Sequence, residues 1–418
     1  MKNFTPLLLL LLLPAAFSSC VKDKCSRTYS IYRPVYHTTA EVRANIKSNA
    51  PRALERPGKF FVLGSYIFLN EVDKGVHLID NTNPSAPRNV AFIDIPGNID
   101  LAVKGNTLYA DSYTDMVTID ISDPLHVQVK KFTDDAFPNR RYENGFVADT
   151  NKVIVDWIRT DTTVLTDCGG SPFYGWLGCA TCDFVATPSS MGQDKSASPY
   201  GAGMGGSMAR FTLMNDYLYT VTDSKLNVFN VASPNDPQFV NSVNVGWSIE
   251  TIYPFKDRLF IGSNSAMFVF ATTDPTNPNQ LATFTHARTC DPVIADEKYA
   301  YVTLRSGTQC QGFTNQLDVL NIENINNPQL IKSYPLTNPH GLSKDGNTLY
   351  ICDGSDGVKV YDATNVNNIV LLKQIRNVTA YDVIAFNNQA MVVADDGLYQ
   401  FAYSNGEIKL LSKISFQN

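Results

Sequence analysis

Histidine and tryptophan are scarce in this chain, and two common catalytic motifs are missing. The five histidines, His37, His77, His126, His286 and His340, never form an H-E-x-x-H pair, which excludes the zinc-protease helix. No G-x-S-x-G elbow occurs, which excludes a serine nucleophile of the α/β-hydrolase kind. Three tryptophans, Trp157, Trp176 and Trp247, are too few to mark blades of the WD type. The net charge is −6 and no basic run or stripe is present, so nucleic acid is not an expected partner. Beyond Cys20 no apolar stretch is long enough to cross a bilayer as a helix.

What the chain does have is a repeat. Short apolar runs end in a polar turn of one kind at Asp80, Asp120, Asn230, Ala271, Asn321 and Asp362. Most gaps are about 40 residues, the period of a small all-β unit. The segment IDLAVKGNTLYADSYTDMVTIDISDPLHVQVKKF (99–132) reads as strand, tight turn, strand, polar loop, strand, Asp/Pro turn, strand. Eight such units are expected, beginning near Lys59, Asp100, Asn144, Arg210, Glu250, Asp291, His340 and Asp382. The third dissolves into a Cys/Gly/Ser/Pro-rich insertion at 168–207, and the remainder allots about 40 residues to each unit. The expected fold is therefore all-β: a β-propeller of four-stranded antiparallel blades, eight in number, with seven as the alternative.

The first residues carry Lys2, an unbroken leucine run from Leu7 to Leu13, and small residues before Cys20. This is a secretory signal, 1–20, ending like a bacterial lipobox except that Phe17 stands where leucine is usual. Cys20 is the expected acylation site, which would tether the protein to a membrane of the bacterial envelope. Residues 21–57 read as a tether with a short helix in AEVRANIKS, capped by Thr38 or Thr39, and 58–418 as the propeller.

The runs GVHLID, MVTIDIS and VKVYDAT, each followed by an Asn/Pro-rich turn, resemble the LVIVD repeat of bacterial and archaeal cell-surface proteins. The resemblance covers about 58–418, except for the insertion and the last unit, LYQFAYSNGEIK. It implies a cell-surface β-propeller and no particular reaction.

Aligning the units on their first hairpin places Lys59, Asp100, Asn144, Arg210, Glu250, Asp291, His340 and Asp382 at the opening of the innermost strand. All are polar. In a propeller they would ring one mouth of the central channel, where an acidic arc with one imidazole suits a divalent cation or a polar ligand. The loops between second and third strands bring Asp111, Asp115, Asp353, Asp356, Asp395 and Asp396 to the same face. Seven cysteines follow Cys20, and Cys290 and Cys310 are expected to pair on that face. Cys168, Cys179 and Cys182 lack a fourth zinc ligand nearby and read as disulfide formers. Gly201, Gly203 and Gly206 match G-x-G-x-x-G without its strand–helix context and read as a flexible lid hinge. The functional expectation is a surface binding module for a protein, a glycan or a small polar ligand. The alternative is an envelope hydrolase or lyase using Glu250, Asp291, Asp382 and His340 on a glycan or other polar polymer.

Overall fold

The computed structural model describes residues 24–138, 152–167, 185–186, 204–207, 209–286, 292–307, 314–404 and 407–417. They divide into two compact units. In the smaller, strand Lys24–Thr38 pairs antiparallel with strand Lys152–Asp167, and the two-residue strand Val185–Ala186 adds to its other edge. The larger, which spans 39–141 and 192–418, is a β-propeller of seven four-stranded antiparallel blades.

The blade number corrects the expectation of eight. The apolar alternation KVIVDWI that suggested two strands of a third blade belongs to one strand of 16 residues, Lys152–Asp167. Its partner is the segment expected to be a tether. Chain alternation is the same in a blade and in a long hairpin, and only the pairing separates them. In the ring, the inner strand of the second blade (Leu101–Lys104) touches that of the third (Phe211–Met214) directly. Asn144 lies outside the described residues, as do Asp291, Cys290, Cys310, Cys168, Cys179 and Cys182. The short helix is present as Thr39–Ala44 and buries Val42.

The remaining inner strands are Pro57–Leu63, Ile249–Phe255, Val293–Ala295, Leu342–Asp345 and Ala380–Phe386. Each is followed by a tight turn and three more strands outward, so both faces of every sheet are covered by its neighbours. Fully buried Tyr109, Tyr219, Phe260 and Tyr301 fill those interfaces. Two tyrosines also tie blade to blade: Tyr109 donates to Pro234 O and Tyr219 to Pro275 O, both at 2.9 Å.

The recurrent turn has a local cause. Side-chain oxygens of Asp80, Asp120, Asn230, Asn321 and Asp362 accept the amide two residues on, at 2.8–3.0 Å. This is the Asx turn that short carboxylate and amide side chains form. Ala271 cannot make it, and there Asp274 takes the Thr276 amide instead. Every blade also carries a register shift between its third and fourth strands. A bulge at that place sharpens the twist by which the outer strand turns from the axis.

Among the described residues no strand is exchanged between the first and last blades, each of which takes its four radial strands from one continuous stretch of chain. The seam is held by side chains: Phe60, Ile67, Leu69 and Ile79 pack on Ile384, Met391, Leu398 and Phe416. Hydrogen bonds from Gln417 N to Leu54 O and from Ser412 Oγ to Pro84 O reinforce it.

Candidate functional site

We call top the face at which the inner strands begin and the loops between second and third strands lie. Six of the eight ring residues fall within the described chain, and all six sit at or beside the start of an inner strand. They do not form one open ring.

Lys59 and Asp100 are buried and pair, with Nζ 2.8 Å from Oδ2. That same oxygen accepts the Arg210 amide at 2.6 Å, and Oδ1 accepts the Leu101 amide at 2.7 Å. Asp100 is thus a bracket between the first three blades. Burial lowers the Lys59 pKa despite the attraction of Asp100.

Asp382 is fully buried and neither of its oxygens has a well-formed hydrogen bond. Burial pushes its pKa well above the carboxylate range, against smaller opposing effects of the Val383 amide and Lys59. A buried carboxyl without partners is held neutral. Gly341 is packed so tightly on it that a Cβ there would meet Asp382 Oδ1 at 2.2 Å.

His340 is also buried. Its Nδ1 has no partner, Nε2 lies 3.3 Å from Asn338 Nδ2, and its ring meets Tyr381 edge-on at 5.3 Å. Burial, helped by the charge of Arg305, lowers its pKa to about 3. Cys352, whose carbonyl accepts the His340 amide, is a buried free thiol raised well above its ordinary pKa by burial. Glu250 is half-buried at the start of the fourth blade.

Five of the six loop aspartates hold backbone amides or pair with basic side chains. Asp111 Oδ1 accepts the amides of Ile99 and Asp100 and the Asn98 side chain, at 2.8–2.9 Å. Asp353 does the same for Thr337 and Asn338 and pairs with Lys359. Asp115 pairs with Arg43 at 2.6 Å, Asp356 with Lys359, and Asp396 with Lys413. Where a blade entry must turn sharply into the inner strand, a carboxylate at the end of the second strand gathers its loose amides. Among the described residues no group of three or more His, Cys, Asp or Glu side chains is placed to hold a metal.

Sequence reasoning missed the channel plug. Met204 and Gly205 pair antiparallel with Val62 and Phe61, on the axis side of the innermost strand of the first blade. From there the chain crosses the channel. Ser207 Oγ accepts the Leu342 amide of the sixth blade at 2.8 Å. Ala209 O accepts the Ile252 amide of the fourth, and the Arg210 amide binds Asp100 at the second. Gly205, Gly206, Ser207 and Ala209 are all buried. Gly206, expected in a hinge, is here a residue small enough for the axis of a closed ring. The signal was its Gly-rich composition beside an inner strand, which also fits a loop.

A cavity of about 160 Å³ opens beside this hub, between the second and third blades. Asp100, Asp111, Arg210 and Asp223 supply its polar lining, and Tyr113 and Phe137 are among its apolar walls. Glu250, His340 and Asp382 are not among the residues that line it.

No protein-family model matches the sequence, and no curated protein matches it. Among solved structures, a protein from Lactobacillus plantarum is similar at 12% identity, over 93% of this chain and 96% of that one, with a TM-score of 0.52. The periplasmic gluconolactonase PpgL of Pseudomonas aeruginosa is similar at 12% identity, over 93% and 97%, with a TM-score of 0.50. PorZ, a surface component of the type-IX secretion system of Porphyromonas gingivalis, gives 12% identity over 87% of this chain and 39% of that one, TM-score 0.48. The likeness is one of fold, a β-propeller.

Proposed function

We propose that this chain is an exported β-propeller that acts as a binding or interaction module through its top face. In this reading it is built from repeats of the LVIVD kind and held on an envelope membrane, outer membrane or cell surface, by acylation of Cys20. The observation that carries the binding role is the plugged channel. Residues 204, 205, 207, 209 and 210 are bonded to the first, second, fourth and sixth blades, so the axis is a structural hub. A partner then meets the fold on a face. The top face carries the cavity beside Asp223 and Trp247, which stands 78% exposed between the third and fourth blades. Exposed tryptophan of this kind is enriched where proteins bind.

The hydrolase or lyase reading is weaker on the geometry. It needs two carboxylates facing an open space with room for a substrate. Asp382 is buried and neutral, Asp111 and Asp353 hold backbone amides, and the imidazole of His340 is enclosed.

The test uses the chain in cells. A photo-reactive residue at Trp247, on the top face, should form adducts that one at Thr273, on a bottom turn, does not. Equal capture from both faces, or capture from the bottom alone, would overturn the role. Independently, Cys20→Ala should move the protein from the membrane to the soluble fraction and abolish acyl labelling. Retention on the membrane would remove the anchor and leave the top-face role standing.

A further inference from the structure

The outer rim of the propeller, where every blade presents its fourth strand, is chemically uneven. In the fifth blade this strand, Gln329–Pro335, exposes Leu330 and Lys332. In the sixth, Val370–Ile375, it exposes three apolar side chains in a row, Val370, Leu371 and Leu372, and then Lys373. In the seventh, Glu407–Ser415, it exposes Lys409, Leu410 and Lys413. The five apolar residues are each 46–50% exposed, and the three blades are neighbours. Together the three strands hold four lysines and one acid, Glu407, in a chain whose net charge is −6.

The other rim strands lack that combination. Gln238–Asn244 and Asn279–Thr285, of the third and fourth blades, carry no charge. Lys130 and Lys131 of the second blade are held by Asp120 and Asp236, at 3.0 and 2.7 Å. The edge of the first blade is covered by the short strand Lys47–Asn49, which pairs with Phe92–Asp94. Lys373 and Lys409, by contrast, make no ion pair among the described residues.

Each class of partner can be weighed against the arc of blades five to seven. A small anion would meet the lysines and leave the leucines in water. A protein strand added to one blade, as Lys47–Asn49 is added to the first, would cover one edge and leave the neighbouring leucines bare. A lipid surface with anionic headgroups meets apolar and basic side chains across all three blades together. The rim of a ring is convex, so the middle blade reaches deepest. The three consecutive apolar residues are on that middle blade, and each flanking blade offers one exposed leucine beside lysine.

We propose that the rim of the fifth to seventh blades lies against a membrane of anionic phospholipid, with Val370, Leu371 and Leu372 at the acyl boundary and Lys332, Lys373 and Lys409 at the phosphates. The proposal goes beyond the top-face role and takes from it only the envelope location. A side-on contact leaves the top face open to a partner. So few apolar groups and charges give a reversible, salt-sensitive contact, which orients an anchored chain and does not replace its anchor.

The purified full chain would be mixed at low salt with vesicles of phosphatidylcholine and phosphatidylglycerol in equal parts. These would carry a phospholipid with a photo-reactive acyl chain, and adducts would be mapped by mass spectrometry. Adducts should fall on Val370–Ile375, and at least about tenfold fewer on Gln238–Asn244, whose exposed Phe239 and Val240 make it the apolar control. Vesicles of phosphatidylcholine alone should lower the yield on the blade-six strand. Leu371→Ser with Leu372→Ser, and separately Lys373→Glu with Lys409→Glu, should each lower it about tenfold or more. Either pair serves if the other fails to fold.

Equal labelling of the two strands, no adduct on Val370–Ile375, or unchanged yields in both double variants would overturn the proposal. So would a protein adduct, without a lipid adduct, from a photo-reactive residue at Leu371 in cells, which would give the rim to a protein strand. Rim adducts that persist in Cys20→Ala support the contact whatever becomes of the anchor. A chain that sediments with vesicles while its rim stays unlabelled would keep the anchor and reject the contact.

Discussion

Lys59 Nζ lies 2.8 Å from Asp100 Oδ2, with the two side chains 9% and 4% exposed, so the pair sits inside the ring and not at its mouth. Removing one partner strands the other charge. Lys59→Met should cost about 3–5 kcal/mol of stability, the range for breaking a buried ion pair. Lys59→Met with Asp100→Asn should cost less than the two single changes added together. Denaturant midpoints of the four proteins check this, and additivity would show that the two groups act separately.

Asp382 gives a second prediction, with a sign opposite to that of a ligand-binding acid. Its folded pKa is raised above the unfolded value. The folded state therefore holds a proton that the unfolded state gives up, and stability is lost as pH rises from the unfolded pKa through the folded one. Asp382→Asn, which keeps the shape without the charge, should raise the urea midpoint at pH 7.5 and flatten its decline above about pH 4. A lower midpoint in the variant would contradict the buried, neutral carboxyl.

His340 works from the other side. Its folded pKa of about 3 lies below the unfolded value, so the unfolded state binds the extra proton between them. Stability should then fall as pH drops from about 6.5 toward 3. His340→Asn should show a shallower fall over that window, read from midpoints at pH 7 and pH 4.5. An equal slope would place the acid sensitivity elsewhere.

Gly357 is a backbone test of the blade design. Its φ is 85°, and a Cβ would stand 1.9 Å from Ile375 O, which is backbone and cannot step aside. Gly75 holds the same place in the first blade, with a Cβ 2.0 Å from Ile93 O. Gly357→Ala should cost at least about 1–3 kcal/mol, the range for overpacking, and more if the positive φ is also strained. Gly105→Ala, at a turn with open space around it, should cost less. Thermal midpoints separate the two.

The repeat and its turns were readable because their causes are local. An Asp or Asn that folds back on the amide two residues ahead, as at Asp80 and Asp362, writes itself into the sequence. The four-stranded unit was readable for the same reason, in the alternation of apolar positions. Blade number was not, because Lys152–Asp167 shows a blade's alternation and only its distant pairing with Lys24–Thr38 removes it from the ring. The polar residues at the strand openings were found, but their roles were not. Whether an aspartate faces solvent, as a ligand site requires, or gathers amides, as Asp111 does, depends on neighbours more than ten residues away. The plug was invisible because a glycine-rich stretch fits both a loose loop and a packed axis.

Arrays of like repeats usually touch only their nearest neighbours, and they can therefore loosen one unit at a time. The hub formed by residues 204–207, 209 and 210 breaks that rule, since together they bond to the first, second, fourth and sixth blades. No blade in that set can swing outward without releasing a strand edge or an amide shared with a blade across the ring. The ring should therefore melt as one cooperative body. Prising out Ser207 and its neighbours would let it fray from the first-to-last seam, which side chains and a few hydrogen bonds hold together.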